Sequence, residues 1–249
     1  MNQKLLLGSA LLVGMASTQQ ALARQKKAKE QTRPNVVFIL ADDLGYGDLS
    51  CYGQEKFETP NIDRLAQNGM RFTQCYSGTT VSAPSRSCLI TGTHSGHTAI
   101  RGNKELAPEG QFPLPENSQT IFNDFRNAGY RTGAFMWYPT IIPHAELIVP
   151  EDSIIKKFRG KYPEKPYRGV EPGSPAFRKG GYCTQFYPHA TFAAMVYRLD
   201  VYVGQIVQKL KDMGVYDNTI IIFSSDNGPH MEGGADPDFF NSNGIWRGY

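Results

Sequence analysis

An α/β fold around a largely parallel sheet is predicted by three features of this sequence. Val36 to Ala41 is almost wholly apolar, and Thr219 to Ser225 carries Ile220, Ile221, Ile222 and Phe223 in succession, as strands covered on both faces do. Each run ends in a carboxylate-bearing turn, Asp42-Asp43 and Asp226-Asn227-Gly228. Between them, helical periodicity alternates with strand-like runs, the order that βαβ units produce.

Taken in chain order, residues 1–23 have the layout of a secretory signal: Lys4, an apolar run from Leu5 to Ala16, then Ala21-Leu22-Ala23 as a small-x-small cleavage site. The mature chain is expected to begin at Arg24 and to be exported, with the periplasm as its destination. The apolar run is too short to cross a membrane, so no membrane anchor is expected. Residues 24–33 are polar and rich in Lys and Gln, and read as a flexible tether. The folded domain is expected over 34–249.

Thr59-Pro60 opens a helix with Thr as N-cap and Pro at the first position; Ile62, Leu65 and Ala66 share its face, and Gly69 closes it. Arg71 to Tyr76 then reads as a strand. Ser118 is placed to cap a second helix whose Ile121, Phe122 and Phe125 face inward before Gly129, and Tyr130 to Phe135 is strand-like again. The strongest helical pattern runs from His189 to Met213, with Phe192, Val196, Leu199, Val203, Ile206 and Leu210 three or four apart, and Gly214 ends it.

At 249 residues, 40% of them hydrophobic, the chain has enough apolar side chains for a sizeable core. A formal charge of +3, part of it from the amino-terminal Lys/Arg cluster, gives no argument for nucleic acid as a partner. Cys51, Cys75, Cys88 and Cys183 form no CxxC or Cys/His metal pattern, and in an exported chain both disulfides and buried thiols stay open.

The chemistry is expected where the two apolar strands end, because ligands of open α/β sheets sit outside the carboxyl ends of the strands. Asp42, Asp43, Asp226 and Asn227 together offer three carboxylates and an amide oxygen, a donor set suited to Ca²⁺ or Mg²⁺. Either pair alone reads better as a turn former. A third segment changes the balance: Ser82-Ala83-Pro84-Ser85-Arg86, followed by Ser87-Cys88-Leu89-Ile90-Thr91-Gly92, starts a helix whose amino terminus favours an anion, with Arg86 one turn in as a fixed positive fork.

That segment, a Cys-or-Ser-x-Pro-Ser-Arg run with Thr-Gly at its end, resembles the signature of the formylglycine-dependent sulfatases. Ala41-Asp42-Asp43-Leu44-Gly45-Tyr46-Gly47-Asp48, Thr59-Pro60-Asn61-Ile62-Asp63 and Ser225-Asp226-Asn227-Gly228 extend the resemblance in the family's order from Pro34 onward. Gly92-Thr93-His94-Ser95-Gly96-His97 and the stretch from Ser225 to Gly244 are similar to sulfatases of glycan-degrading bacteria. The resemblance implies an alkaline-phosphatase-like α/β fold and hydrolysis of sulfate esters on a sulfated glycan or aryl sulfate. It implies formylglycine made from Ser82 by a maturase before export, and Ca²⁺ or Mg²⁺ held by Asp42, Asp43, Asp226, Asn227 and modified Ser82. Arg86 would hold the formylglycine, whose hydrate attacks sulfur, and His144, in Pro143-His144, would face the sulfate or the leaving oxygen. His97 and Arg101 are placed to reach the sugar or to lie in a solvated loop, and His189 to cap a helix.

The chain departs from the family pattern twice. Sulfatases follow Gly-Tyr-Arg-Thr-Gly with small residues and then Gly-Lys-Trp, whose Lys binds sulfate; here Gly129-Tyr130-Arg131-Thr132-Gly133 runs into Ala134-Phe135-Met136-Trp137 with no Lys. Trp137 to His144 resembles a family strand that comes much later. The strand-like run from Tyr130 to Ile142 is about twice the usual strand length, and parallel neighbours need a crossover of about a dozen residues, so an internal deletion near Phe135 and Met136 is expected. Trp246 to Tyr249 lies where relatives continue to a second sulfate-binding Lys and a smaller carboxyl-terminal subdomain, which is expected to be absent. Two other readings stand beside the sulfatase: a phosphatase or phosphonate monoester hydrolase on the same fold, and a truncated remnant that binds metal or glycan without turnover.

Overall fold

The computed structural model describes residues 33–106, 110–134, 142–170 and 181–248. The expected signal segment, nearly all of the tether and the seam at Phe135 and Met136 lie outside the described residues. In chain order the elements are strand β1 (Asn35–Ala41), helices α1 (Pro60–Asn68) and α2 (Ser82–Thr91), strands β2 (Glu105–Leu106) and β3 (Gly110–Gln111), helices α3 (Ile121–Asn127), α4 (Ser153–Lys156) and α5 (Pro188–Asp212), strand β4 (Thr219–Ser225) and helix α6 (Pro237–Phe240).

The two apolar runs pair directly with each other, in the parallel sense expected of the sheet. β1 and β4 lie parallel from Asn35 opposite Thr219 to Ala41 opposite Ser225. In that register Val37, Ile39 and Ala41 share a face with Ile221 and Phe223, since successive side chains alternate sides. This face joins the core, in which Ile39 and Ala41 cluster with Ala190, Ala193, Val196, Leu199 and Val203 of α5. The other face corrects the expectation of strands covered on both sides: Phe38, Ile220 and Ile222 are exposed. Among the described residues this sheet has only two strands, too narrow to be sandwiched between helical layers.

Local expectations fared unevenly. Pro60 opens α1 with Thr59 at the N-cap position, yet the Thr59 hydroxyl turns to Asp63 Oδ1 at 3.1 Å. The free N–H groups of that helix are met instead by Asp200 of α5, whose Oδ1 accepts from Asn61 N and Ile62 N, both at 2.8 Å. The second helix begins at Ile121 with Thr120, not Ser118, at its N-cap; the Ser118 N–H closes a turn onto Pro115 O at 2.9 Å. Ile121 is exposed, and only Phe122 and Phe125 are half-buried.

Arg71 to Tyr76 forms no strand, nor do Tyr130 to Ala134. β-rich composition makes a strand only where a neighbour supplies ladder bonds. Tyr76 meets Trp246 edge-on at 5.4 Å instead, and Phe72 O accepts from the Tyr52 hydroxyl at 2.8 Å. No disulfide forms among the described residues; Cys88 is a buried thiol and Cys75 an exposed one.

The Gly45-Tyr46-Gly47-Asp48 turn carries the chain away from β1 against residues 241–244. A Cβ on Gly47 would stand 2.1 Å from Asn241 O, so only glycine permits the approach. Asp48, fully buried, accepts from Gly45 N at 2.8 Å and from Ser242 Oγ at 2.5 Å, and burial pushes its carboxyl up to about 7.

Candidate active site

The parallel pairing of β1 with β4 places the two acidic turns side by side at the carboxyl ends of the strands. Asp226 N continues the ladder to Ala41 O at 3.1 Å, and Asp43 N returns a bond to Asp226 Oδ1, also at 3.1 Å. Asp43 takes a left-handed backbone conformation, φ 59°, which an Asp tolerates better than most residues. Asp42, Asp43 and Asp226 are all buried.

Helix α2 presents its first residue to this corner. Ser82 Oγ donates to Asp42 Oδ1 at 2.8 Å and lies 3.5 Å from Asn227 Oδ1. Arg86, one turn later, bridges the two strands: Nε is 3.0 Å from Asp226 Oδ2 and Nη2 is 3.1 Å from Asp42 Oδ2. The Ser85 hydroxyl donates to the Asp226 carbonyl. Pro84 is buried at the third helical position and Gly92 ends the helix in the left-handed region, as the spacing predicts.

A third loop enters beside them. Pro143 bridges to Asp42 in a parallel ladder step, and His144 Nε2 then stands 3.5 Å from Asp43 Oδ2. Asp42, Asp43 and His144 offer ligand atoms that all lie within 4.8 Å of one another.

Electrostatics defines what this corner can bind. Burial pushes the Asp42 carboxyl up to about 6, and the neighbouring Asp226 adds to the shift, while Arg86 and the Ser82 hydroxyl work against it. A single guanidinium serves two of three clustered carboxylates. Asn227 helps by turning Nδ2 to Asp43 Oδ1 at 2.5 Å. Hard anionic oxygens crowded in this way match the donor chemistry of Ca²⁺ or Mg²⁺, so the residues present fit such an ion.

The remaining candidates stand differently. Arg101 bonds carbonyls of its own loop, Thr98 O at 3.4 Å and Gly96 O, and His97 meets His94 edge-on at 6.5 Å, so the structure does not draw these two into the acidic corner. Asn103 of the same loop does approach it, with Oδ1 3.3 Å from Ala83 N. His189 is buried at the start of α5, stacked on Phe239 at 3.9 Å with Nε2 3.2 Å from Asp236, and has a packing role. Sequence reasoning missed His230, four residues beyond Asp226, whose ring stacks on His144 at 5.7 Å and whose basicity burial holds below the ordinary value. Its only signal was its nearness to the Asp-Asn-Gly turn.

Known proteins resemble this chain in sequence and in fold. An N-acetylgalactosamine-6-O-sulfatase of Bacteroides thetaiotaomicron is 41% identical over 133 residues, 52% of this chain and 24% of that protein. Human arylsulfatase A is 26% identical over 266 residues, 79% of this chain and 52% of that protein. This chain thus spans about a quarter to a half of the relatives' own length. A solved structure from work on the metabolism of multiple glycosaminoglycans by Bacteroides thetaiotaomicron aligns with a TM-score of 0.60 at 23% identity, covering 88% of this chain and 68% of that one. A phosphonate monoester hydrolase of Agrobacterium radiobacter aligns with a TM-score of 0.53 at 20% identity, covering 80% and 64%, which shows the shared alkaline-phosphatase-like fold. The family model described as Sulfatase matches residues 34–142 and 134–247, most of the chain, with Asp42, Asp43 and Ser82 inside the first match and Asp226 inside the second, and this chain belongs to the sulfatase family.

Proposed function

We propose that this chain hydrolyses sulfate esters, carried on sulfated carbohydrate, after export to the periplasm, with formylglycine made from Ser82 by a maturase and with Ca²⁺ or Mg²⁺ at the acidic corner. The observation that carries the reading is the placement of Ser82 Oγ 2.8 Å from Asp42 while Arg86 ties Asp42 to Asp226. When present, the formylglycine hydrate supplies the attacking hydroxyl and the cation lowers its pKa and offsets charge.

The chain's own residues do the rest. Asp42, Asp43, Asp226 and Asn227 hold the cation, and Ser82 completes the set. Arg86 fixes the position of residue 82 and adds positive charge where sulfate oxygens gather it. His144 serves the departing oxygen as proton donor, a role that suits imidazole near neutral pH. His97 and Arg101, on the loop after α2, are proposed to meet the sugar. The name of one relative, an N-acetylgalactosamine-6-O-sulfatase, supports a sulfated sugar as the substrate.

Activity is expected to be weak, because the sulfate-binding Lys that the family pattern places after Gly-Tyr-Arg-Thr-Gly is absent where Gly133 runs into Ala134-Phe135-Met136-Trp137. The alignment with arylsulfatase A supports the missing segment: at 266 positions it is longer than the 249 residues of this chain, and the two family matches overlap at 134–142, around the seam. The test is mass spectrometry of the tryptic peptide that contains Ser82 after coexpression with an anaerobic-type maturase. The peptide should lack two hydrogens; an unmodified serine beside a modified control sulfatase overturns the reading. A second reading, phosphonate or phosphate monoester hydrolysis, is favoured by the Agrobacterium neighbour, and paired sulfate and phosphonate ester assays separate the two.

A further inference from the structure

Two imidazoles share the candidate site, and His144 is the one that stands nearest the carboxylates, at 3.5 Å from Asp43 Oδ2. His230 lies against it, the rings tilted by 24° with centroids 5.7 Å apart. The polar edges of His230 are both engaged. Its Nδ1 accepts the Glu232 N–H at 3.1 Å, which leaves the proton of the neutral ring on Nε2, and Nε2 stands 3.5 Å from the Pro143 carbonyl. One ring therefore links the turn after Asp226 and Asn227 to the residue that precedes His144. Pro143 in turn is bridged to Asp42.

We propose that His230 is a positioning residue that holds the Pro143-His144 loop against the acidic corner and keeps the His144 ring in one orientation toward the departing ester oxygen. The inference rests on the reading of His144 as proton donor. A histidine on an unsupported loop samples several rotamers, and each productive encounter must then select one of them. A ring stacked on one face, with its backbone tied through the preceding carbonyl, is oriented before the ester arrives, and preorganisation of this kind is what supporting residues contribute to catalysis.

A proton donor matters most when the leaving group is poor, which gives the test. The matured chain, loaded with Ca²⁺, is assayed on phenyl sulfate, whose phenolate leaves reluctantly, and on 4-nitrophenyl sulfate, whose phenolate leaves unaided. His230→Ala should lower kcat on phenyl sulfate by about 10-fold, a fraction of what a general acid supplies, and on the nitrophenyl ester by less than about 2-fold. His144→Ala should show the same pattern more strongly, and His230→Ala should add nothing in the His144→Ala background. His230→Gln, which can still accept from Glu232 N–H and donate to Pro143, should recover part of the loss and guards against a variant that merely misfolds. Equal losses on both esters for His230→Ala and His230→Gln, or a full further loss on top of His144→Ala, overturns the inference. If His144→Ala itself shows no dependence on the leaving group, the reading of His144 falls first; if it shows the dependence and His230→Ala does not, only the positioning role falls. A chain that hydrolyses neither ester removes both.

Discussion

Asp200 and Asp42 are both buried carboxylates, and they are satisfied in opposite ways. Asp200 receives donors on both oxygens, from Asn61 N, Ile62 N and Asn61 Nδ2 at 2.7 to 2.8 Å, so its charge is spent on the open end of a helix. Asp42 has the Ser82 hydroxyl and a share of Arg86, with Asp226 beside it as a like charge. The first arrangement is complete within the chain. The second leaves net negative charge in a confined space, which costs stability unless a cation or a substrate-linked group offsets it. Surplus charge in a buried cluster is therefore the physical mark that separates the candidate site from the scaffold.

The comparison breaks first at Ser82. If the acidic corner is catalytic, Ser82→Ala lowers turnover of an aryl sulfate by about 10⁴ or more in the matured, Ca²⁺-loaded chain, the scale on which removal of a nucleophile acts elsewhere. Folding should be nearly unaffected, since Ser82 is only part-buried and its hydroxyl caps nothing. Undiminished turnover would place the chemistry elsewhere.

Arg86 comes next. Arg86→Ala should lower turnover by about 10²–10³, comparable to loss of one preorganised donor to a developing anion. It also removes the bridge between Asp42 and Asp226, so the variant should melt lower without divalent cation and regain much of the difference when Ca²⁺ is added. A melting deficit that Ca²⁺ leaves untouched would argue that Arg86 serves packing alone.

The scaffold carboxylate gives the opposite signature. Asp200→Ala strips the donors of Asn61 and Ile62 of their acceptor in a buried setting and should cost about 3 kcal/mol, from two backbone N–H groups left unsatisfied at about 1–3 kcal/mol each. Chemical denaturation with and without Ca²⁺ should give the same loss. Dependence on Ca²⁺ here would blur the distinction between site and scaffold.

The elements legible in the sequence are those whose signal is local. The apolar runs of β1 and β4, the period of α5 and the Asp-Asp, Asp-Asn and Ser82 segments each carry their evidence within a few residues. Parallel pairing then follows from chain order, and the convergence of Asp42, Asp226 and Ser82 from parallel pairing. What could not be read depends on partners distant in sequence. Asp200 caps a helix 139 residues away, and nothing in its own heptad of neighbours marks it. Arg71 to Tyr76 has strand composition and, among the described residues, no neighbouring strand, so packing overrides propensity. The open face at Phe38, Ile220 and Ile222 reflects how many strands and layers assemble around the apolar runs, which the runs themselves do not encode.

The smallest effect is in the pH dependence of stability, and there the two kinds of carboxylate should part once more. Asp42 is pushed up to about 6, by burial first and Asp226 second; Asp48 is pushed up to about 7 by burial. Both titrate near 3.8 in the unfolded chain. The folded chain therefore holds more protons than the unfolded one between those values, and stability falls as pH rises from about 4 toward neutrality. For Asp42 the loss should be about 1–2 kcal/mol after allowance for solvent screening of a partly open site. A bound cation favours the ionised carboxylate, so Ca²⁺ should flatten or reverse the Asp42 contribution while leaving that of Asp48, whose neighbours are Gly45 N and Ser242 Oγ, in place. Denaturation at pH 5, 6 and 7, with and without Ca²⁺, checks this, with Asp42→Asn expected to remove the Ca²⁺-sensitive part of the slope and Asp48→Asn the insensitive part. One slope common to all four conditions, apo and loaded, wild type and Asp42→Asn, would mean that the acidic corner carries no surplus charge for a cation to offset.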